Sequence, residues 1–122
     1  MNDARPEIAI GHVRLSVSNV TDATDFFVKL GIRTLVERED FAVLELRGGT
    51  HLVLLPWETP ESNPVDFDIM VDDIDAAYGK LKGYGMAVSD LSRGRIHDNF
   101  EVQTPDRRAL TINSSHAGDR AV

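Results

Sequence analysis

Apolar and polar residues alternate with a period of two over residues 12–17, HVRLSV. Val13, Leu15 and Val17 fall on one side and His12, Arg14 and Ser16 on the other, which predicts a strand with one buried face. The spacing then changes. Val20, Ala23, Phe27 and Leu30 recur at intervals of three and four, the stripe of an amphipathic helix. Asn19 stands at its N-cap, and Gly31 supplies the left-handed position that commonly closes a helix. RTLVERE (33–39), FAVLEL (41–46) and HLVLL (51–55) return to strand-like patterns, with RGG (47–49) as a hairpin signal between the last two.

The same order recurs once. Residues 66–86, DFDIMVDDIDAAYGKLKGYGM, align without gaps on residues 12–32, so that His12 meets Asp66 and Gly31 meets Gly85, each 54 positions apart. Phe67, Ile69 and Val71 oppose Asp66, Asp68 and Met70; Asp73 is the N-cap, and Ile74, Ala77 and Leu81 form the stripe. NFEVQ (99–103) and ALTIN (109–113), joined by TPDRR, answer the first hairpin at a spacing of 57, which pairs Leu54 with Thr111. AVSDLSRGRI (87–96) is a weakly patterned counterpart of residues 33–39. The pattern predicts an α+β protein of two βαβββ modules, about 8–56 and 65–113. Residues 57–64, rich in proline, link them; 1–7 form a weakly determined arm and 114–122 a tail expected to fray.

IGHVRLSVSNVTDATDFFVKLGI and VDDIDAAYGKLKGYG resemble the module openings of the vicinal oxygen chelate superfamily, which includes glyoxalase I, extradiol dioxygenases and bleomycin-resistance proteins. TPDRRALTI resembles that family's closing hairpin and strand, with Thr104 and Arg107 in place of its Asp and Gly. The resemblance spans roughly residues 8–113 and implies the glyoxalase/bleomycin resistance fold, cupped mixed sheets with helices on the convex side. Projected onto this chain, it places Val13, Leu15 and Val17 under a helix and turns His12, Arg14, Ser16, Asp66, Asp68 and Met70 into the cup. Leu44, Leu46, Leu52 and Leu54 are expected as its apolar wall.

The resemblance also implies where a metal would sit. Its ligand positions fall at His12, Leu54, Asp66 and Thr111. Leu54 has no ligating atom and Thr111 offers a neutral hydroxyl, so His12 and Asp66 fall short of the three His or carboxylate ligands such a site needs. Glu101 is the candidate third ligand if Asn99, Glu101 and Gln103 turn inward. His51 falls on the side opposite Leu54, His97 lies in a loop beside Gly94, and His116 is in the tail. The expectation is no metal and no cofactor, with His12, Asp66 and Glu101 as the weak candidates.

Composition narrows the partner. The 122 residues suit one domain, and 42% hydrophobic content is enough for a core. The absence of cysteine excludes disulfides and thiolate metal sites. A formal charge of −7 argues against nucleic acid and favours a cationic over an anionic ligand, besides keeping the chain soluble. No apolar run approaches the roughly 20 residues of a membrane span, and no signal peptide is visible, so a cytoplasmic location is the expectation. Trp57 stacks on a flat ligand ring or packs at the linker or a dimer contact. Arg14 pairs with Asp66 or Asp68, or meets a ligand carboxylate.

The expected ligand-binding residues are His12, Arg14, Leu54, Trp57, Asp66, Asp68, Glu101 and Thr111. The metal-free members the chain resembles imply a homodimeric small-molecule-binding protein that sequesters a natural product or antibiotic. The alternative is a divergent metal-dependent lyase, isomerase or dioxygenase using His12, Asp66 and Glu101. A third reading is a metal-free enzyme with a His12–Asp66 acid/base pair.

Overall fold

Strand β1 (His12–Val17) leads into helix α1 (Val20–Leu30), followed by β2 (Arg33–Glu37), β3 (Ala42–Glu45) and β4 (His51–Pro56). The order repeats as β5 (Ile69–Val71), α2 (Ile74–Gly83), β6 (Ser92–Arg93), β7 (Asp98–Gln103) and β8 (Ala109–Ser114). This architecture comes from a computed structural model that describes residues 5–57 and 63–115. The first four residues of the expected arm, linker residues 58–62 and the tail from 116 onward, His116 included, lie outside the described residues.

Both helices start where their caps dictate. The Asn19 carboxamide oxygen accepts from the Asp22 backbone N–H at 2.9 Å, and the Asp73 carboxylate from that of Ala76 at 3.0 Å. Gly31, with φ of 120°, ends α1. The sheets have matching strand orders, β1-β4-β3-β2 and β5-β8-β7-β6. In each, the first and last strands of the module pair in parallel and the other pairs are antiparallel. The protein is α+β, as its pattern predicts.

Each helix covers one face of its own sheet. Leu15, Val17, Ala42, Leu44, Leu52 and Leu54 pack with Val20, Ala23, Phe26 and Phe27 of α1; Phe100, Val102, Leu110 and Ile112 pack with Ile74 and Leu81 of α2. Removing these side chains from water is the main stabilising term. The opposite faces carry the polar positions of the alternation.

The second half of the repeat differs from its expected alignment. Leu54 is the partner of Leu15 and Ala42, and the residue paired with Ile69 and Phe100 in the other sheet is Ile112. Leu54 and Ile112 lie 58 positions apart, not 57, so Thr111 matches Val53. A slip of one residue moves a strand's side chains to the other face. Leu54 is therefore core, with 0% of its surface exposed, and does not line the cup. Leu44 and Leu52 are buried with it, so of the expected apolar wall only Leu46 keeps partial exposure.

Two further departures concern strand length. The strand expected from Asp66 begins only at Ile69, leaving Asp66 and Phe67 in the bend before it. The weakly patterned segment 87–96 joins β7 in pieces. Ser89 N–H donates to Glu101 O and Gln103 N–H to Ala87 O, both at 2.9 Å, before the short β6.

The closing hairpin shows what Thr104 and Arg107 do in place of the Asp and Gly of the pattern it resembles. The Thr104 hydroxyl accepts the Arg108 backbone N–H at 3.1 Å, which gives the turn a side-chain acceptor. Arg107 takes the glycine position with φ of 63°, a left-handed conformation that costs a residue with a Cβ. Arg107→Asn is expected to raise stability by about 0.5–1 kcal/mol, because Asn tolerates this region without glycine's extra freedom in the unfolded chain. Urea denaturation checks it; a lower midpoint refutes the assignment of strain to this turn.

Candidate functional site

β1 and β5 are edge strands of their sheets, and the seam between the modules runs beside them. Two clasps related by the repeat hold it. In one, Arg47 from the first hairpin donates to both carboxylate oxygens of Asp72, just past β5, at 3.2 and 2.8 Å. The hydrogen bonds from Arg47 hold the Asp72 carboxyl below its ordinary range, and its positive charge adds to them. In the other, Asp106 from the second hairpin accepts from the backbone N–H of Ser18, just past β1, at 3.1 Å, and from the Ser18 hydroxyl. Ser18 and Asp72 occupy the same place in the two modules.

Arg108 locks the seam from inside. It is 2% exposed, with its guanidinium donating to the carbonyls of Asn63 at 2.7 Å, Pro64 at 3.3 Å and Ser16 at 3.5 Å. One side chain thus ties the end of the linker to β1.

Cavities flank this seam. The larger, of about 340 Å³, lies between Leu46, Arg47 and Gly48 of the first module and Asp68, Ile69 and Met70 of the second. The Asp68 carboxylate accepts from the side-chain amide of Asn113 and meets no cation among the described residues. Met70 is 52% exposed. A smaller cavity, of about 180 Å³, gathers Arg14, Ser16, Trp57, Asp66, Phe67 and Arg108. Trp57 is held there by its backbone N–H, which donates to Val17 O at 2.9 Å. No ion pair joins Arg14 to Asp66 or Asp68 among the described residues.

The remaining candidates stand apart. Glu101 lines a third cavity with Ser89, Gln103 and Arg107, and Thr111 is its cross-strand neighbour on β8. His12 meets His51, not Asp66: the two are register partners, with Nε2 and Nδ1 3.4 Å apart. His51 does face away from Leu54; because Leu54 points into the core, His51 shares the face of His12. The structure therefore brings Arg14, Trp57 and Asp66 together and separates them from Asp68, from the Glu101–Thr111 pair and from His12.

The model of the Glyoxalase/Bleomycin resistance protein/Dioxygenase superfamily matches residues 9–110. The chain belongs to that superfamily. Compared with curated protein sequences, it has no match. Among solved structures it is similar to a glyoxalase/bleomycin resistance protein/dioxygenase from Alicyclobacillus acidocaldarius, 23% identical, with a TM-score of 0.70 over 90% of this chain and 93% of that one. It is also similar to TnmS3, an antibiotic-binding protein from Streptomyces sp. CB03234, 21% identical, with a TM-score of 0.74 over 90% and 98%. Oxidase ChaP-H2 is 15% identical, with a TM-score of 0.72 over 90% and 95%. These three likenesses establish the fold.

The metal site that the superfamily implies can now be placed. With the corrected repeat it falls at His12, Val53, Asp66 and Thr111, and Val53 is as unable to ligate as Leu54. Among the described residues no three His, Asp or Glu side chains are grouped to hold an ion. His12, Asp66 and Glu101 lie in three separate groups, so the residues at these positions do not fit a mononuclear centre of that kind.

Asp106, Arg108 and His51 are the residues that sequence reasoning missed. Only His51 had a visible signal, since pairing β1 with β4 through Leu15 and Leu54 sets it beside His12. No helix of the described residues is long and apolar enough to cross a membrane.

Proposed function

We propose that the protein binds a small apolar cation in the seam between its two modules and does not transform it at a metal centre. The observation that carries this reading is the cavity of about 340 Å³, in which Leu46, Ile69 and Met70 flank the Asp68 carboxylate. An apolar lining with a few placed polar groups, at a volume of about 300–1,000 Å³, is the usual form of a small-molecule site. Among the described residues no Lys or Arg neutralises Asp68, whereas neighbouring Asp72 is already held by Arg47. A cationic group on the ligand completes the first pair; the formal charge of −7 favours its approach. The superfamily fold carries both an antibiotic-binding protein and an oxidase, so the side chains and not the fold support binding here.

Isothermal titration against a panel of small apolar cations, such as aromatic and tertiary amines, tests the proposal. Binding is expected for at least one of them, weakened about tenfold or more in Asp68→Asn, the usual worth of a hydrogen bond to a charged group. Trp57→Ala, in the other cavity, is expected to leave that affinity unchanged. No binding across the cations, or binding indifferent to Asp68→Asn, overturns the reading.

A further inference from the structure

We infer that the cavity between residues 87–89 and the β7/β8 hairpin binds a small zwitterion, an ammonium and a carboxylate on one aliphatic frame, between Glu101 and Arg107. The cavity is about 310 Å³ and lies apart from the one lined by Asp68, so neither site depends on the other. Glu101 and Gln103 alternate with the buried Phe100 and Val102, which puts both on the open face of β7. Gln103 is the register partner of Ala109 on β8, and Arg107 stands in the turn between those strands. Along the hairpin the carboxylate and the guanidinium therefore start from opposite sides of Gln103.

Two independent observations point to a ligand between these charges. Among the described residues neither the Glu101 carboxylate nor the Arg107 guanidinium has an ion-pair or hydrogen-bond partner, although both line one cavity. Arg107 also holds a φ of 63°, at a position where glycine would be free of strain. Backbone strain of this kind clusters at ligand clamps and active sites. The side chain carried at that cost is a long cation with no counter-ion of its own among the described residues.

The signs of the two groups set the class of ligand. A simple anion meets the Glu101 carboxylate and a simple cation meets the Arg107 guanidinium, so a molecule carrying both signs satisfies each end. The guanidinium donates two parallel N–H bonds to a carboxylate, and the Glu101 carboxylate accepts from an ammonium. Ala87 and Ala109 supply small apolar surface for a short aliphatic frame, with the Gln103 carboxamide beside it. The wall is in place before any ligand arrives. Glu101 N–H donates to the Ser89 hydroxyl at 2.8 Å, that hydroxyl donates to Asp90 O at 3.2 Å, and Gln103 N–H donates to Ala87 O at 2.9 Å. A preformed wall spares the complex the cost of ordering it.

The test is amide chemical-shift mapping by NMR of the whole protein, titrated with L-alanine, β-alanine and γ-aminobutyrate, which space the two charges differently. Saturable shifts at Ser89, Gln103 and Ala109 are expected with at least one of them. Acetate and ethylammonium, each with a single charge, are expected to bind more weakly. Glu101→Gln and Arg107→Asn are each expected to weaken binding about fivefold, the upper end for an exposed ion pair. Arg107→Asn is expected to do so in a chain that unfolds at a higher urea concentration, so that lost binding is not lost folding. Asp68→Asn is expected to leave the affinity unchanged. Zwitterion binding indifferent to Glu101→Gln or to Arg107→Asn overturns the proposal. So does acetate or ethylammonium binding as tightly as the zwitterions, and so do shifts gathered at Asp68 and Met70 instead. Absence of saturable binding by all three zwitterions overturns it as well.

Discussion

Leu54→Asp is expected to leave the chain unfolded, whereas Val53→Asp next to it keeps native circular dichroism and a single cooperative unfolding transition. Leu54 is fully buried between Leu15, Ala42 and the side chains of α1. Truncating such a leucine to alanine costs about 2–5 kcal/mol. Burying a carboxylate there without a partner costs several kcal/mol more, which exhausts the total of about 5–15 kcal/mol that holds a domain together. Val53 points to the open face, beside Val43 and Arg14, where a carboxylate stays in water and costs about 1 kcal/mol through lost strand propensity. A folded Leu54→Asp with an unfolded Val53→Asp would reverse the assigned faces of β4.

Arg108→Ala is expected to lower stability by about 3–5 kcal/mol, read as a drop in urea midpoint at unchanged slope. The substitution leaves the carbonyls of Asn63, Pro64 and Ser16 without their donor in a site that is 2% exposed. Arg108→Lys is expected to recover little, because a single ammonium cannot reproduce the planar fork that reaches three carbonyls. A change below about 0.5 kcal/mol, ordinary for a surface site, would remove Arg108 from its role as the lock of the seam.

Much of the fold was legible because its signals are local. The alternation over His12–Val17, the stripe through Val20, Ala23 and Phe27, and the caps at Asn19 and Asp73 each act within a few residues, and all appear in place. The register of the second half was not. HLVLL holds four apolar residues in a row, so its period cannot say which of Val53 and Leu54 faces in. The unpatterned stretch before β7 gave no other anchor for the extra residues of the second module. The seam was illegible for a different reason. Ser18 and Asp106 are 88 residues apart, and Arg108 lies 92 from Ser16. No periodicity marks such pairs, and only the assembled sheets show that a buried arginine is needed there. The candidate site suffered accordingly: Arg14, Trp57 and Asp66 do share a cavity, but His12 found a partner that the misplaced register had hidden.

The two clasps are alike in place and unlike in kind, which makes ionic strength a one-sided control on the seam. Arg47–Asp72 is an exposed pair of full charges, and added salt screens it over a length of about 8–10 Å at ordinary concentrations. At the other clasp, Asp106 accepts from an uncharged backbone N–H and hydroxyl, which mobile ions shield far less. Rising salt therefore weakens the Arg47 clasp more than the Ser18 clasp. The cavity that holds Asp68 is lined by both partners of the clasp that salt weakens.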